Sequence, residues 1–187
     1  SLSEDYQKVK RSMGFLGALF GIMDRLDLLV GAFGTGIEPT GSQDPYALRR
    51  AGGSVVKMIR AFSVHFSLSK AIEINTRLYA DRLNKKEDLK PRLLKFLKER
   101  IAFELGAKPG TRSYEILEAA CRSGFDEVAD LYKRYDVLCA MAEKDTKNFL
   151  KAAKVIQRTA NMLKSYGKDP GQPHPDKLIE PQEKKLF

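Results

Sequence analysis

Cysteine and histidine are scarce in this chain, two of each among 187 residues, and none stands beside a partner. Cys121 and Cys139 lie far apart, form no Cys-x-x-Cys and have no neighbouring histidine. That excludes a disulfide framework and a zinc site of ordinary spacing, and it fits a reducing cytoplasm. His65 falls within an apolar pattern and His174 among prolines, so neither has the partners that acid-base or nucleophilic catalysis requires. Long apolar runs are missing too. Residues 13–23 follow Lys8, Lys10 and Arg11 like a signal peptide, but Asp24, Arg25 and Asp27 interrupt them well short of a membrane span, and a buried helix is the better reading. The glycine-bearing loop 34–42 lacks the Gly-Lys-Ser/Thr ending of a P-loop, and Pro39 breaks a Gly-x-Gly-x-x-Gly frame, so it reads as a turn. Asp24 and Asp27 share a helix face, yet two carboxylates without histidine make a weak metal site, and capping or ion pairing explains them better. There is no internal repeat and no low-complexity tract.

What the chain has is apolar residues and positive charge. At 43% apolar it can bury a core, and 33 Lys+Arg against 24 Asp+Glu leave a net charge of +9. Phosphate is the obvious anionic partner, although a membrane surface or an acidic protein satisfies the same long-range attraction. The chain starts at Ser1 and stops inside the charged helical pattern at Glu183, Lys184, Lys185, Leu186 and Phe187, so it is read as a fragment.

Periodicity predicts helices throughout and requires no strand. Over residues 4–33, Leu16, Leu19, Phe20, Met23, Leu26 and Val30 recur at steps of three and four, as in a largely buried helix. After the loop, Asp44 suits an N-cap and Pro45 a first helical position, so a second helix is expected from there through Leu48, Ala51, Val55, Met58, Phe62 and Phe66. Gly52 and Gly53 inside it each cost about 1 kcal/mol relative to alanine, which implies that something packs closely against them. Further helices are expected over 68–83, 89–105, 113–122, 125–141 and 145–166. Residues 84–88 form a polar connection, residues 169–175 an extended linker, and a last short helix is expected near Glu180 and Pro181.

The helix over 145–166 carries the strongest functional signal. Between Asp145 and Asp169 there is no acid, while Lys147, Lys151, Lys154, Arg158, Lys164 and Lys168 all occur. At about 100° per residue, Lys151, Lys154, Arg158 and Asn161 share one face, opposite Phe149, Ala152, Ile156, Thr159, Ala160 and Leu163. Arginine forks onto phosphate or stacks on a base, and asparagine bonds a base edge, so this set suits RNA; a solvated lysine-rich face is the alternative reading. On the helix over 89–105, Arg92, Lys95 and Lys98 lie on the polar side. Arg100 falls on the apolar border near Leu93 and Phe96, where a packed stem makes either a recognition group or one half of a structural ion pair. Tyr132, Tyr135, Phe149 and Tyr166 have core spacing, and no stacking role is assigned to them.

Two words in the chain carry a family likeness. Residues 23–31 read MDRLDLLVG and residues 39–51 read PTGSQDPYALRRA. They resemble the β subunit of bacterial glycyl-tRNA synthetase, in which the words read approximately ADKLDTLVG and PTGSKDPFALRRAA. Met23, Arg25, Leu28, Gln43, Tyr46 and Gly52 are departures that leave the frame intact. Residues 96–101, FLKERI, resemble the family's FLxDRL, and residues 157–163, QRTANML, its KRVxNIL.

The resemblance covers nearly the whole chain and implies an all-α fold. Residues 1–84 would be the end of an HD-like helical domain, and residues 85–187 a DALR-type anticodon-binding helical bundle. It implies a cytoplasmic enzyme in which the α subunit uses ATP and magnesium to make glycyl adenylate, while the β subunit grips glycine tRNA. The two subunits would form a heterotetramer. This chain would then supply tRNA recognition without chemistry, with no cofactor of its own, no catalytic residue and no membrane partner. Arg100, Arg158 and Asn161 match family pattern positions, whereas Gln157 and Thr159 replace basic and apolar residues. Arg92, Lys95, Arg100, Lys151, Lys154, Arg158 and Asn161 make the expected RNA-binding set. Asp24 resembles the late aspartate of HD metal sites, but the upstream His and His-Asp ligands are absent, so no metal is expected. The competing readings are a degenerate HD-type phosphohydrolase remnant and a helical subunit scaffold without RNA contact.

Overall fold

The computed structural model describes residues 4–44, 46–79 and 82–144, and beyond them residues 149, 151, 154–156, 158–159 and 161–162. Among residues 4–144 as described, the helices run in order α1 (Glu4–Ser12), α2 (Phe15–Thr35), α3 (Leu48–Phe62), α4 (Leu68–Leu78), α5 (Leu89–Glu104), α6 (Arg112–Cys121) and α7 (Val128–Lys144). The described residues beyond α7 are helical. Among the described residues there is no strand, only an isolated bridge between Thr40 and Gln43, so the fold is all-α as expected. Contacts separate two compact units, Ser1–Ala140 and Met141–Phe187. The expected division at 84/85 lies within the first of these units. The short helix near Glu180, the linker over 169–175, His174, Tyr166, Lys147, Lys164 and Lys168 lie outside the described residues.

The single helix expected over 4–33 is two. Gly14 adopts an extended conformation (φ −77°, ψ 171°) and starts α2 without a side-chain cap, so the chain bends between Ser12 and Phe15. In α2 the core stripe is Ala18, Ile22, Leu26, Leu29, Val30 and Phe33. Leu16, Phe20 and Met23, expected inside, are exposed. The helix is apolar on two sides, and the second stripe outcompetes the first for the core. It ends in a Schellman motif: Gly36 sits at φ +84°, its N–H donates to Phe33 O (3.1 Å), and Ile37 N–H donates to Ala32 O (2.8 Å).

The loop that follows is held by its own sequence. Thr40 and Gln43 exchange backbone hydrogen bonds (3.1 and 2.7 Å) around Gly41 at φ +48°. The Arg49 guanidinium donates back to the carbonyls of Gly41 (2.9 Å) and Gln43 (3.3 Å). Asp44 does cap α3, but from farther out than expected. The helix begins at Leu48, with Ala47 in the left-handed region, and the Asp44 carboxylate accepts from Leu48 N–H (2.7 Å) and Arg49 N–H (3.1 Å).

α3 packs on α1, α2 and α5, and α2 also packs on α4 and α5. The shared core is built from the α2 stripe with Leu48, Val55, Val56, Met58 and Ile59 of α3 and Leu89, Leu93, Phe96, Leu97 and Ile101 of α5. Phe33 and Phe96 meet at its centre with ring centroids 5.2 Å apart. Each such buried side chain contributes about 1.5 to 3 kcal/mol. α3 ends at Phe62, where Ser63 turns left-handed (φ 51°), so Phe66 and His65 fall in the connection to α4 and not in a helix. Tyr132 and Tyr135 of α7 are buried. Arg60 lies over the rings of Tyr6 (5.0 Å) and Tyr132 (4.8 Å) and pairs with Asp136 (2.9 Å), joining α1, α3 and α7.

Candidate nucleic-acid interface

In the second unit, Lys151, Lys154, Arg158 and Asn161 are helical and exposed. No ion pair among the described residues includes the three cations. Their charge is therefore available to a partner. The opposite side is less sealed than expected. Phe149 is half-buried, but Thr159 is exposed and Ile156 is 68% exposed. Ala152, Ala160 and Leu163 lie outside the described residues.

On α5 the four basic residues have different surroundings. Arg92 is committed to structure: it pairs with Glu38 and donates to the carbonyl of Lys85 (2.9 Å), with longer bonds to those of Phe33 and Glu87 (3.4 Å each), joining the end of α2 to the start of α5. Lys98 bonds Glu118 of α6 (2.9 Å). Burial is the largest single influence and would lower its pKa, but the hydrogen bond to Glu118 together with the charges of Cys121, Glu118 and Tyr114 outweighs it and holds Lys98 above its ordinary value. Lys95 is exposed. Arg100 is half-buried, with its guanidinium 5.4 Å from the Phe96 ring centroid and 5.7 Å from that of Phe103. Its Nε is buried without a hydrogen-bond partner, and no ion pair among the described residues includes it. The structural ion pair considered for Arg100 belongs instead to Arg92.

Packing also brings to Arg100 residues that a helix-by-helix reading passes over. Arg49, Arg50, Gly53, Ser54 and Lys57 of α3 face Arg100, Phe103 and Glu104 of α5 across a groove of about 410 Å³. The one legible signal was the Arg49-Arg50 pair inside the longer family word. Its meaning depended on which helix lay opposite.

The remaining expectations concern isolated groups. Asp24 and Asp27 are exposed; Asp24 lies 3.8 Å from Arg25, and the backbone carbonyl of Asp27 accepts from the Tyr79 hydroxyl (3.3 Å). Among the described residues no three His, Cys, Asp or Glu gather as metal ligands. His65 is exposed, paired with Glu127 and 3.2 Å from Lys133 Nζ. Cys121 and Cys139 are not joined in a disulfide, and burial raises the pKa of Cys121. No described helix is long and apolar enough to cross a membrane.

Residues 4–122 match the family model described as glycyl-tRNA synthetase beta subunit. The chain is 33% identical over 178 residues to the glycine-tRNA ligase beta subunit of Myxococcus xanthus, covering 91% of this chain and 25% of that protein. The counterpart from Desulfitobacterium hafniense is 34% identical over 172 residues, with 90% and 24% covered. That from Moorella thermoacetica is 34% identical over 175 residues, with 91% and 24% covered. The chain thus spans about a quarter of the length of these relatives. The matched region runs from α1 through α6 and includes the self-capped loop before α3, so the chain belongs to the glycyl-tRNA synthetase β subunit family.

Proposed function

We propose that this chain is the tRNA-binding, anticodon-recognising portion of a glycine-tRNA ligase β subunit. In this reading residues 85–187 hold the anticodon arm, residues 1–84 are the end of an HD-like helical domain, and aminoacylation takes place on the α subunit. The observation that carries the reading is the exposed set Lys151, Lys154, Arg158 and Asn161, unpaired among the described residues, in a member of a tRNA ligase family. Lys95 and Arg100 of the first unit are proposed as further RNA contacts. Arg92 contributes through the connection it holds, because its guanidinium is already engaged.

Titration of glycine tRNA against the chain at increasing salt tests the reading. If about six phosphates are neutralised, log K falls with a slope of about −4 to −5 against log salt. Arg158→Ala weakens binding by about 1 to 3 kcal/mol if the side chain touches or stacks on a base. Footprinting completes the test: protection of the anticodon supports the assignment, and a flat salt profile or protection elsewhere only would remove it. The scaffold reading keeps one specific support, the exposure of Val155, Ile156 and Met162 on the same helix. Tight binding of the α subunit with no affinity for tRNA would establish it instead.

A further inference from the structure

The groove between α3 and α5 has the chemistry of a site for an unpaired nucleotide. Gly52 creates it. A Cβ there would stand 2.8 Å from Phe96 Cε1 and 3.0 Å from Arg100 Cγ, so only glycine lets α5 come this close to α3. The next residue, Gly53, has just Glu104 Oε1 at 3.5 Å from its Cβ position and leaves the groove open. Arg50, Ser54 and Lys57 follow one another at helical steps along the α3 wall. Arg100, Phe103 and Glu104 form the α5 wall.

The charges of the groove do not cancel. Lys57 pairs with Glu104 at 3.4 Å, and the Glu104 side chain is only 10% exposed, so these two neutralise each other. Arg49 is tied to the loop carbonyls. Arg50 is exposed, and neither it nor Arg100 has a carboxylate partner among the described residues. Beside them stands Phe103, which is 73% exposed and is not among the buried core residues. An aromatic face held next to unpaired arginines is what a single-stranded nucleic acid needs, since a base stacks on the ring while its phosphate meets the cation.

We propose that Phe103 stacks an unpaired base of bound RNA while Arg50 holds the adjoining phosphate and Arg100 braces the ring. This rests on the tRNA-binding reading and adds to it a contact in the first compact unit. An acidic peptide would satisfy Arg50 but has no use for the aromatic face, which favours RNA. The unpaired nucleotide could come from the anticodon loop or from a single-stranded 3′ end.

The test uses the whole chain and three fluorescent probes: glycine tRNA, its anticodon stem-loop, and an acceptor minihelix with unpaired 3′ nucleotides. Phe103→Ala is expected to weaken tRNA and one of the two shorter probes by about 5- to 150-fold, identifying the source of the base. Phe103→Tyr restores binding because the ring is kept, whereas Phe103→Leu does not. Arg50→Ala weakens the same probe and reduces the salt slope by about one. Equal melting temperatures show that the variants remain folded. If Phe103→Ala changes nothing while Arg158→Ala weakens tRNA binding, the groove assignment is overturned and the tRNA-binding function stands. A parent chain that binds none of the RNAs overturns both. A polyglutamate peptide that binds, and is lost with Arg50→Ala but not with Phe103→Ala, reassigns the groove to an acidic protein segment.

Discussion

Gly52 and Gly53 are adjacent in α3 and have opposite surroundings. Both lose helix stability relative to alanine, by about 1 kcal/mol each. At Gly53 the Cβ position meets only Glu104 Oε1 at ordinary contact distance, so Gly53→Ala is expected to stabilise the chain by about 0.4 to 1 kcal/mol. At Gly52 the new methyl collides with the Phe96 ring, which is already packed against Phe33. Overpacking of this kind costs about 1 to 3 kcal/mol and exceeds the propensity gain, so Gly52→Ala is expected to destabilise. Chemical denaturation of the two variants checks the signs, and like-signed results would contradict the α3–α5 contact. The sequence justified suspecting a close neighbour at this pair. It could not say which glycine met it, because that depends on the rotation of α3 against α5.

At the scale of the element, two aspartates outside the helices hold helix starts. Asp44 takes the first free N–H groups of α3, and Asp44→Ala is expected to cost about 0.5 to 2 kcal/mol in denaturant unfolding. Its role was legible, but the helix it caps begins only at Leu48, because Ala47 turns left-handed first. Asp126 does the same for α4 from the α6–α7 connection, accepting from Ser67 Oγ and Ser69 N–H at 2.6 Å each. No local pattern announces that contact, since the partners are far apart in sequence. Partial burial pushes the Asp126 carboxyl up, but the hydrogen bonds from Ser67 and Ser69 outweigh it and hold its pKa below the ordinary 3.8. A depressed folded-state pKa contributes stability that is present above the unfolded value and is lost as pH falls through the folded one. The stability difference between the parent chain and Asp126→Asn is therefore expected to be constant near neutrality and to shrink as pH drops below about 4. Unfolding curves at several pH values read it directly, and a difference independent of pH would show that the carboxylate is not ionically engaged.

Over the whole molecule, what was legible follows from what is local. Helix class and most helix positions are written in the three-four spacing, and the basic side of the helix beyond α7 is written in an uninterrupted run of one sign. The α3–α5 groove was not legible, because Arg50, Lys57 and Phe103 acquire a common environment only when two helices separated by α4 come together. The orientation of α2 was hidden for a related reason: hydropathy marks two apolar stripes and does not say which one meets α3 and α5. Adjacent residues on that helix make the choice measurable. Ile22 is buried and Met23 exposed, with Leu16 and Phe20 on the Met23 side. Ile22→Ala is expected to cost about 2 to 5 kcal/mol, as deletions in a closed core do. Changing Leu16, Phe20 and Met23 together to glutamine removes more apolar surface, yet it is expected to cost at most about 1.5 kcal/mol, the sum of three surface substitutions of about 0.5 each. Thermal melts of the two variants decide between the stripes. A triple variant that unfolds as readily as Ile22→Ala would place the core of α2 on its other side and rotate every contact it makes with α3 and α5.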